Sequence, residues 1–307
     1  MIEKEQETMK KMRELSIAGC EVIGEGAMGK VYRLDDETII KVYAPGVPLE
    51  VVREEKNIAK AAFVAGVPTA ISFDVVKVGE SYGAVYEMLQ AKTLSSYIME
   101  HPEQTEEMGK RMGRLLKELH EIPADTNKFV NVCELYKERV HRMEKYLSKD
   151  ETDKLLAVYD SLEESTALLH GDFHPKNIMY MNDELIFIDM ADVGYGHPLL
   201  DIGGTYLVMV HFGKMTPERV PHYIGLDYET ALKVWNSMLT EYFNAEDIEE
   251  AEILASIYGQ AKHALFPAII PNMDEGGTRW FISEARKHGF FSSKLDISPA
   301  LKPSIKF

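Results

Sequence analysis

Basic residues, thiols and long apolar runs are all scarce in this chain of 307 residues, and each shortage removes a class of function. Lys and Arg together number 34 against 50 Asp and Glu, a formal charge of −16. Nucleic acid and anionic membrane surfaces call for a basic patch, so neither is an expected partner. Such a balance tolerates a cationic substrate without requiring one. The two cysteines, Cys20 and Cys133, are far apart and in no metal-ligand spacing, which argues against a disulfide framework and a zinc site and suits a reducing compartment. The opening residues MIEKEQETMKKMREL are charged throughout, without the apolar core of a signal peptide. No later run approaches the ~18 apolar residues of a membrane span. The expectation is a soluble, cytoplasmic protein with no internal repeat and no low-complexity linker, long enough for one large or two ordinary domains. Nothing in the sequence speaks to its oligomeric state.

What is present concentrates between Leu168 and Gly203, LLHGDFHPKNIMYMNDELIFIDMADVGYGHPLLDIG. A His-Gly-Asp turn is followed by a loop reaching Asn177, and the apolar runs Ile178 to Met181 and Leu185 to Ile188 flank Asn182-Asp183-Glu184, the pattern of two short strands and a tight turn. Asp172 and Asn177 then share one loop, and Asp189 follows the second strand. Taken singly, each is a residue type that favours turns. Together, two carboxylates and an amide oxygen suit a hard divalent cation, because Mg²⁺ prefers oxygen ligands and is shared with substrate phosphates.

The segment resembles the aminoglycoside phosphotransferase and choline kinase superfamily, whose pattern H-G-D-x-x-x-x-N, I-D and G-x-G-D-P-x-x-D-L-A stands here as His170-Gly171-Asp172 to Asn177, Ile188-Asp189 and Gly194 to Gly203. The resemblance implies an α+β, bilobal, protein-kinase-like fold. A small N-lobe of antiparallel sheet with one helix would span residues 1–89, opened by a helical leader over residues 2–15. A larger, mostly helical C-lobe would span residues 90–307.

The rest of the chain agrees in order. CEVIGEGAMGKVY places Gly24, Gly26 and Gly29 in a turn between two strands, where glycines let backbone N–H groups approach anionic oxygens. A Rossmann loop would need a helix directly afterwards, whereas Lys30 to Leu34 is strand-like. TIIKVY, Thr38 to Tyr43, is a β-branched strand carrying Lys41, similar to the kinase strand whose lysine grips the α- and β-phosphates. The helical stretch from Leu49 to Ala65 supplies Glu54 and Glu55; by the family's Arg-Glu pairing Glu54 is the expected partner of Lys41, with Glu55 open because helix register is uncertain by one residue. Two further strands, Ile71 to Val78 and Ser81 to Leu89, complete five. Glu87 and Leu89 then fall in the hinge whose backbone would meet adenine. Beyond Thr93 the pattern is helical, with Met108, Met112, Leu115, Leu116 and Leu119 as a core stripe. A short helix over Leu155 to Leu162 and others from Tyr206, Tyr228, Ala245 and Trp280 are expected.

The resemblance implies an ATP- and Mg²⁺-dependent phosphotransferase with Asp172 as general base, Asn177 and Asp189 as metal ligands, and His170 and Asp201 as structural supports. The lysine that Ser/Thr protein kinases carry two residues after the loop aspartate is replaced by His174, and only 12 residues separate Asp189 from Asp201, with no A-P-E motif. Both features favour a small-molecule hydroxyl acceptor over a peptide. A catalytically silent ATP-binding regulator and an atypical protein kinase are the alternatives. The chain departs from the family in His197 for the Asp before Pro198, and in Ile-Gly after Asp201.

Overall fold

The computed structural model describes residues 12–26, 28–270 and 273–301, so most of the expected leader helix lies outside the described residues. These residues divide into two compact units. One comprises the chain up to Ala91 together with Met181–Asp192, and the other Lys92–Tyr180 with the chain from Val193 onward. A boundary at residues 89 and 90 therefore leaves out the return of Met181–Asp192 to the first unit, where Phe187 N–H donates to Pro68 O at 2.8 Å.

The first unit is built on five antiparallel strands, β1 Val22–Gly26, β2 Gly29–Arg33, β3 Thr38–Tyr43, β4 Ser72–Val78 and β5 Ser81–Glu87, in the order β1-β2-β3-β5-β4. The β-branched composition of β3 suits its central place, where Lys41 is aligned with Val31 on one side and Ala84 on the other. One sheet face packs Ile40, Val76, Val78 and Val85 under Leu15 and Ile17. The other packs Tyr43 and Ala84 against Val52 of the helix Leu49–Val64. Arg13 to Leu15 run alongside β4 as extended chain rather than as the end of a helix. Main-chain bonds from Leu15 N–H to Lys77 O and from Lys77 N–H to Arg13 O, both 2.9 Å, hold them there and bring Leu15 over the sheet.

The second unit is mostly helical. Its helix Thr105–His120 buries Met108, Met112, Leu115, Leu116 and Leu119, the stripe that the 3.6-residue spacing predicts, against the helix Tyr228–Phe243. Two glycines set how closely these helices approach. A Cβ on Gly109 would lie 2.8 Å from Val234 O, and one on Gly113 would lie 2.5 Å from Met238 O. The helix expected at Leu155 begins at Lys149 instead, because Ser148 and Glu151 form a reciprocal capping box. The helix expected from Tyr206 begins at Leu199, directly after Pro198, and passes through a turn of π-helix, Leu207–His211, into Phe212–Met215. Trp280 lies inside the helix Glu275–His288, which is capped by Asp274. No helix among the described residues is long and apolar enough to cross a membrane.

His211 and His263 are buried in this unit, with Nε2 of the first 3.2 Å from Nδ1 of the second. Burial, and then the charge of Lys214 on His211 and of His211 on His263, pushes their pKa values down to about 4 and about 3.

Two predictions follow from this packing. Gly113→Val should lower stability by about 1–3 kcal/mol, because the added carbons meet helix backbone that cannot yield; an unchanged urea midpoint would refute the close approach. Both histidines bind a proton more readily unfolded than folded. Their stabilisation is therefore complete above the unfolded pKa of ~6.5 and lost as pH falls toward 4. His263→Phe should flatten the pH 4–6.5 limb of a urea-midpoint profile, and an equally steep limb in the variant would exclude this pair as its source.

Candidate active site

The His170-Gly171-Asp172 turn is shaped by one buried carboxylate. Asp201, 1% exposed, accepts the backbone N–H of His170 at 2.6 Å on Oδ2 and that of Gly171 at 2.7 Å on Oδ1. Gly171 takes a positive φ of 84°, the left-handed conformation that glycine adopts without strain. His120 Nε2 stands 3.3 Å from Asp201 Oδ2, and its Nδ1 stands 2.8 Å from the Tyr242 hydroxyl. Burial opposes the charge on Asp201, yet His120, His170 and the Gly171 N–H together hold its carboxyl below the ordinary range. Fully buried His170 accepts the Asp172 N–H on Nδ1 at 3.3 Å, which braces the turn from inside.

Asp172 projects from this turn with 43% of its side chain exposed. Its Oδ2 accepts from Asn177 Nδ2 at 3.0 Å and lies 3.4 Å from His174 Nε2. The same Asn177 nitrogen donates to the Asp172 carbonyl at 2.9 Å. This assignment of the amide leaves Asn177 Oδ1 as an oxygen donor for a cation. Burial works against the Asp172 charge, but His174, Lys262 and His170 outweigh it and hold the carboxyl well below the usual carboxylate range.

Lys262 and Thr205 are loop partners that no sequence motif marks. Lys262 Nζ donates to Gly171 O at 2.8 Å, and Thr205 Oγ1 donates to Phe173 O at 2.9 Å, so both carbonyls flanking Asp172 are held. Their helices, Leu199–Tyr206 and Glu249–Ala264, meet at a pair of glycines. A Cβ on Gly203 would lie 2.9 Å from Gly259 N, and one on Gly259 would lie 2.6 Å from Gly203 O. That contact gives a physical reason for glycine after Asp201-Ile202. His197, in the place of the family's aspartate, accepts the Leu199 N–H on Nδ1 at 3.3 Å. Burial, then the His120 charge, lowers its pKa to about 4, so the ring accepts there as a neutral group.

In the sheet unit, Lys41 Nζ lies 2.6 Å from Glu55 Oε1 and 3.2 Å from Asp189 Oδ1. The glutamate facing Lys41 is Glu55, not Glu54: the helix register turns Glu54 to solvent and buries Glu55. Burial opposes the ammonium charge, but Asp189 and Glu55 raise the pKa of Lys41 above its ordinary value. Asp189 has a positive φ of 57° and keeps 48% of its side chain exposed. The three glycines Gly24, Gly26 and Gly29 differ in what they permit. A Cβ on Gly29 would strike Val42 O at 2.1 Å, so the strand pairing itself demands glycine there. Gly26 faces open space, and a Cβ on Gly24 would make only ordinary contact with Val31. Glu87 is engaged with Ile71 through both its N–H, 2.9 Å from Ile71 O, and its carboxylate, 3.2 Å from Ile71 N. Leu89 N–H meets no acceptor among the described residues.

The sequence model of the phosphotransferase enzyme family, APH, matches residues 19–236, and the chain belongs to that family. No curated protein matches it closely enough to report. Among solved structures it resembles aminoglycoside phosphotransferase APH(2'')-Ib in its ADP-bound form, at 17% identity over 93% of this chain and 96% of that one, with a TM-score of 0.56. A choline/ethanolamine kinase family protein from Mesorhizobium loti matches at 14% identity over 87% and 86%, with a TM-score of 0.55. Choline kinase LicA from Streptococcus pneumoniae matches at 16% identity over 93% and 96%, with a TM-score of 0.51. These likenesses establish the α+β, protein-kinase-like fold.

Asp201→Ala should destabilise the chain by about 2–5 kcal/mol, because it leaves two buried N–H groups and His120 without their acceptor. Urea denaturation measures the loss, and a change below about 1 kcal/mol would show that the turn does not depend on this carboxylate.

Proposed function

We propose that this protein is an ATP-dependent phosphotransferase that moves the γ-phosphoryl group to a hydroxyl of a small molecule. The observation that carries the reading is Asp172, an ionised carboxylate on a braced turn, oriented by Asn177 and His174 and still open on one side. As base, Asp172 takes the proton of the acceptor hydroxyl. The acceptor oxygen bonds to the γ-phosphorus as the bond from that phosphorus to the β–γ bridging oxygen breaks, and ADP leaves with the electron pair. A low pKa suffices for this role, since in a loose transition state the proton leaves late.

Lys41, oriented by Glu55, grips the α- and β-phosphates. Gly24, Gly26 and Gly29 form the flap over them, and the Leu89 N–H and the Glu87 carbonyl serve the adenine edge. Asn177 Oδ1 and the Asp189 carboxylate are hard oxygen donors of the kind Mg²⁺ takes. When bound, that ion neutralises charge on the β- and γ-phosphate oxygens. The aminoglycoside phosphotransferase and choline kinases among the similar structures support an acceptor that is a small hydroxylated molecule rather than a protein.

A metabolite extract incubated with ATP, Mg²⁺ and either the natural chain or Asp172→Asn, then compared by mass spectrometry, tests the reading. A species that gains one phosphoryl group only with the natural chain is the expected result, with turnover reduced about 10²–10⁴-fold in the variant. Equal turnover by Asp172→Asn would remove Asp172 as the base. ATP binding without transfer to any metabolite or antibiotic would favour the silent regulator.

A further inference from the structure

A cavity of about 540 Å³ opens within the helical unit, of a size that holds small molecules. Its walls come from three stretches of the chain, one of them the helix Glu275–His288 with Glu284 and His288. Tyr206, His211 and Lys214 lie on or beside the π-helical turn, and Ser256 and Gln260 on the helix Glu249–Ala264. The π-turn adds a residue to the helical repeat and so shifts the faces presented by the residues after it. Such turns recur at functional sites.

Two of the three also hold the Asp172 loop. Thr205, adjacent to Tyr206, binds the Phe173 carbonyl, and Lys262, two residues after Gln260, binds the Gly171 carbonyl. Helices that line the cavity thus also carry the side chains that hold the two carbonyls flanking the proposed base, although Thr205 and Lys262 themselves do not line it.

The charge of its lining is specific. Lys214 Nζ donates to the Tyr206 hydroxyl at 3.1 Å, and no carboxylate among the described residues lies within ion-pair distance of it. Burial opposes its charge, but the Tyr206 hydroxyl, Glu252 and Tyr228 outweigh burial, so it is cationic at neutral pH. Glu284, the acidic residue of the lining, is 3.3 Å from Lys287, which offsets part of its charge. His211 is engaged with His263, and His288 completes the wall.

Resting on the phosphotransferase reading, we propose that this cavity binds the acceptor and that the acceptor carries an anionic group, a carboxylate or a phosphate, received by Lys214 and Tyr206. A polycation such as an aminoglycoside would meet the Lys214 ammonium there, with Glu284 as the one carboxylate of the lining and Lys287 beside it.

Calorimetry on the full chain with D-glycerate, glycerol 1-phosphate, ribose 5-phosphate, choline and kanamycin tests this without any turnover. At least one anionic probe should bind, more tightly than choline or kanamycin. Lys214→Met should weaken it about 10–100-fold, the loss expected for a hydrogen bond to a charged group, and Lys214→Arg should restore it to within a few-fold. Ser256→Asp, which adds a carboxylate to the same lining, should weaken it as well, so the result does not hang on one variant's folding. Whether glycerate or the sugar phosphates respond separates carboxylate from phosphate. Binding of none of the three anions, undiminished binding by both Lys214→Met and Ser256→Asp, or tighter binding of choline or kanamycin would overturn the proposal. Phosphorus NMR on the same mixtures with ATP reads the transfer separately. Intact anion binding with no phosphoryl transfer to any acceptor would sink the phosphotransferase reading and leave the anion site standing.

Discussion

A single buried charge organises the helical unit. Asp201 lies inside the protein, where an unpaired carboxylate is untenable, and its partners come from the turn it supports and from the helix ending at His120. His120 is in turn joined to Tyr242, so four segments distant in sequence meet in one hydrogen-bonded chain. A low local dielectric strengthens every bond in such a network and penalises each broken one, which leaves the turn with one conformation. The orientation of Asp172 is a consequence of that constraint. It sits on a turn whose N–H groups, flanking carbonyls and central φ angle are all determined by neighbours.

How legible this was in the sequence depends on how local each determinant is. The His170-Gly171-Asp172 turn, the two strands after it and Asp201 fall within some thirty residues, so their pattern is visible in one reading. The core stripe of Thr105–His120 shows because helical period repeats within the element. The pairing of Lys41 with Glu55 rather than Glu54 does not show, since one residue of helix register is decided by packing against the sheet. The extended path of Arg13 to Leu15 escapes for a similar reason. Its charged surroundings read as a polar helix, while the competing interaction is edge pairing with β4, about sixty residues away.

Contacts made by the absence of a side chain are harder still to read. Gly109 and Gly113 interrupt an otherwise ordinary amphipathic pattern, and only the backbone of Tyr228–Phe243 explains them. Gly203 and Gly259 are each unremarkable in sequence, yet together they let two helices approach closely enough for Lys262 and Thr205 to reach the loop. Seen this way, two departures from the family pattern have local reasons. Gly203 serves a crossing of helices that even an alanine would obstruct. His197 offers a neutral ring nitrogen where the family has a carboxylate, and still accepts the N–H of Leu199.

Net charge and local charge lead to different expectations about the acceptor. A total of −16 makes a cationic ligand easy to imagine, but charges beyond a Debye length of ~8–10 Å are largely screened, whereas a partly buried group acts on whatever shares its cavity. Cationic or polar groups stand close to the loop and the cavity, Lys262 beside Gly171, His174 beside Asp172 and Lys214 at the cavity wall, while the Asp201 carboxylate beneath the turn is already engaged by two N–H groups and His120. Such a setting keeps Asp172 ionised and lowers the electrostatic penalty for bringing a second negative group close to it. For the proposed pairing of an anionic acceptor with a nucleotide, those cations are the groups that matter most. A net acidic balance is common on protein surfaces and by itself says little about what the interior selects.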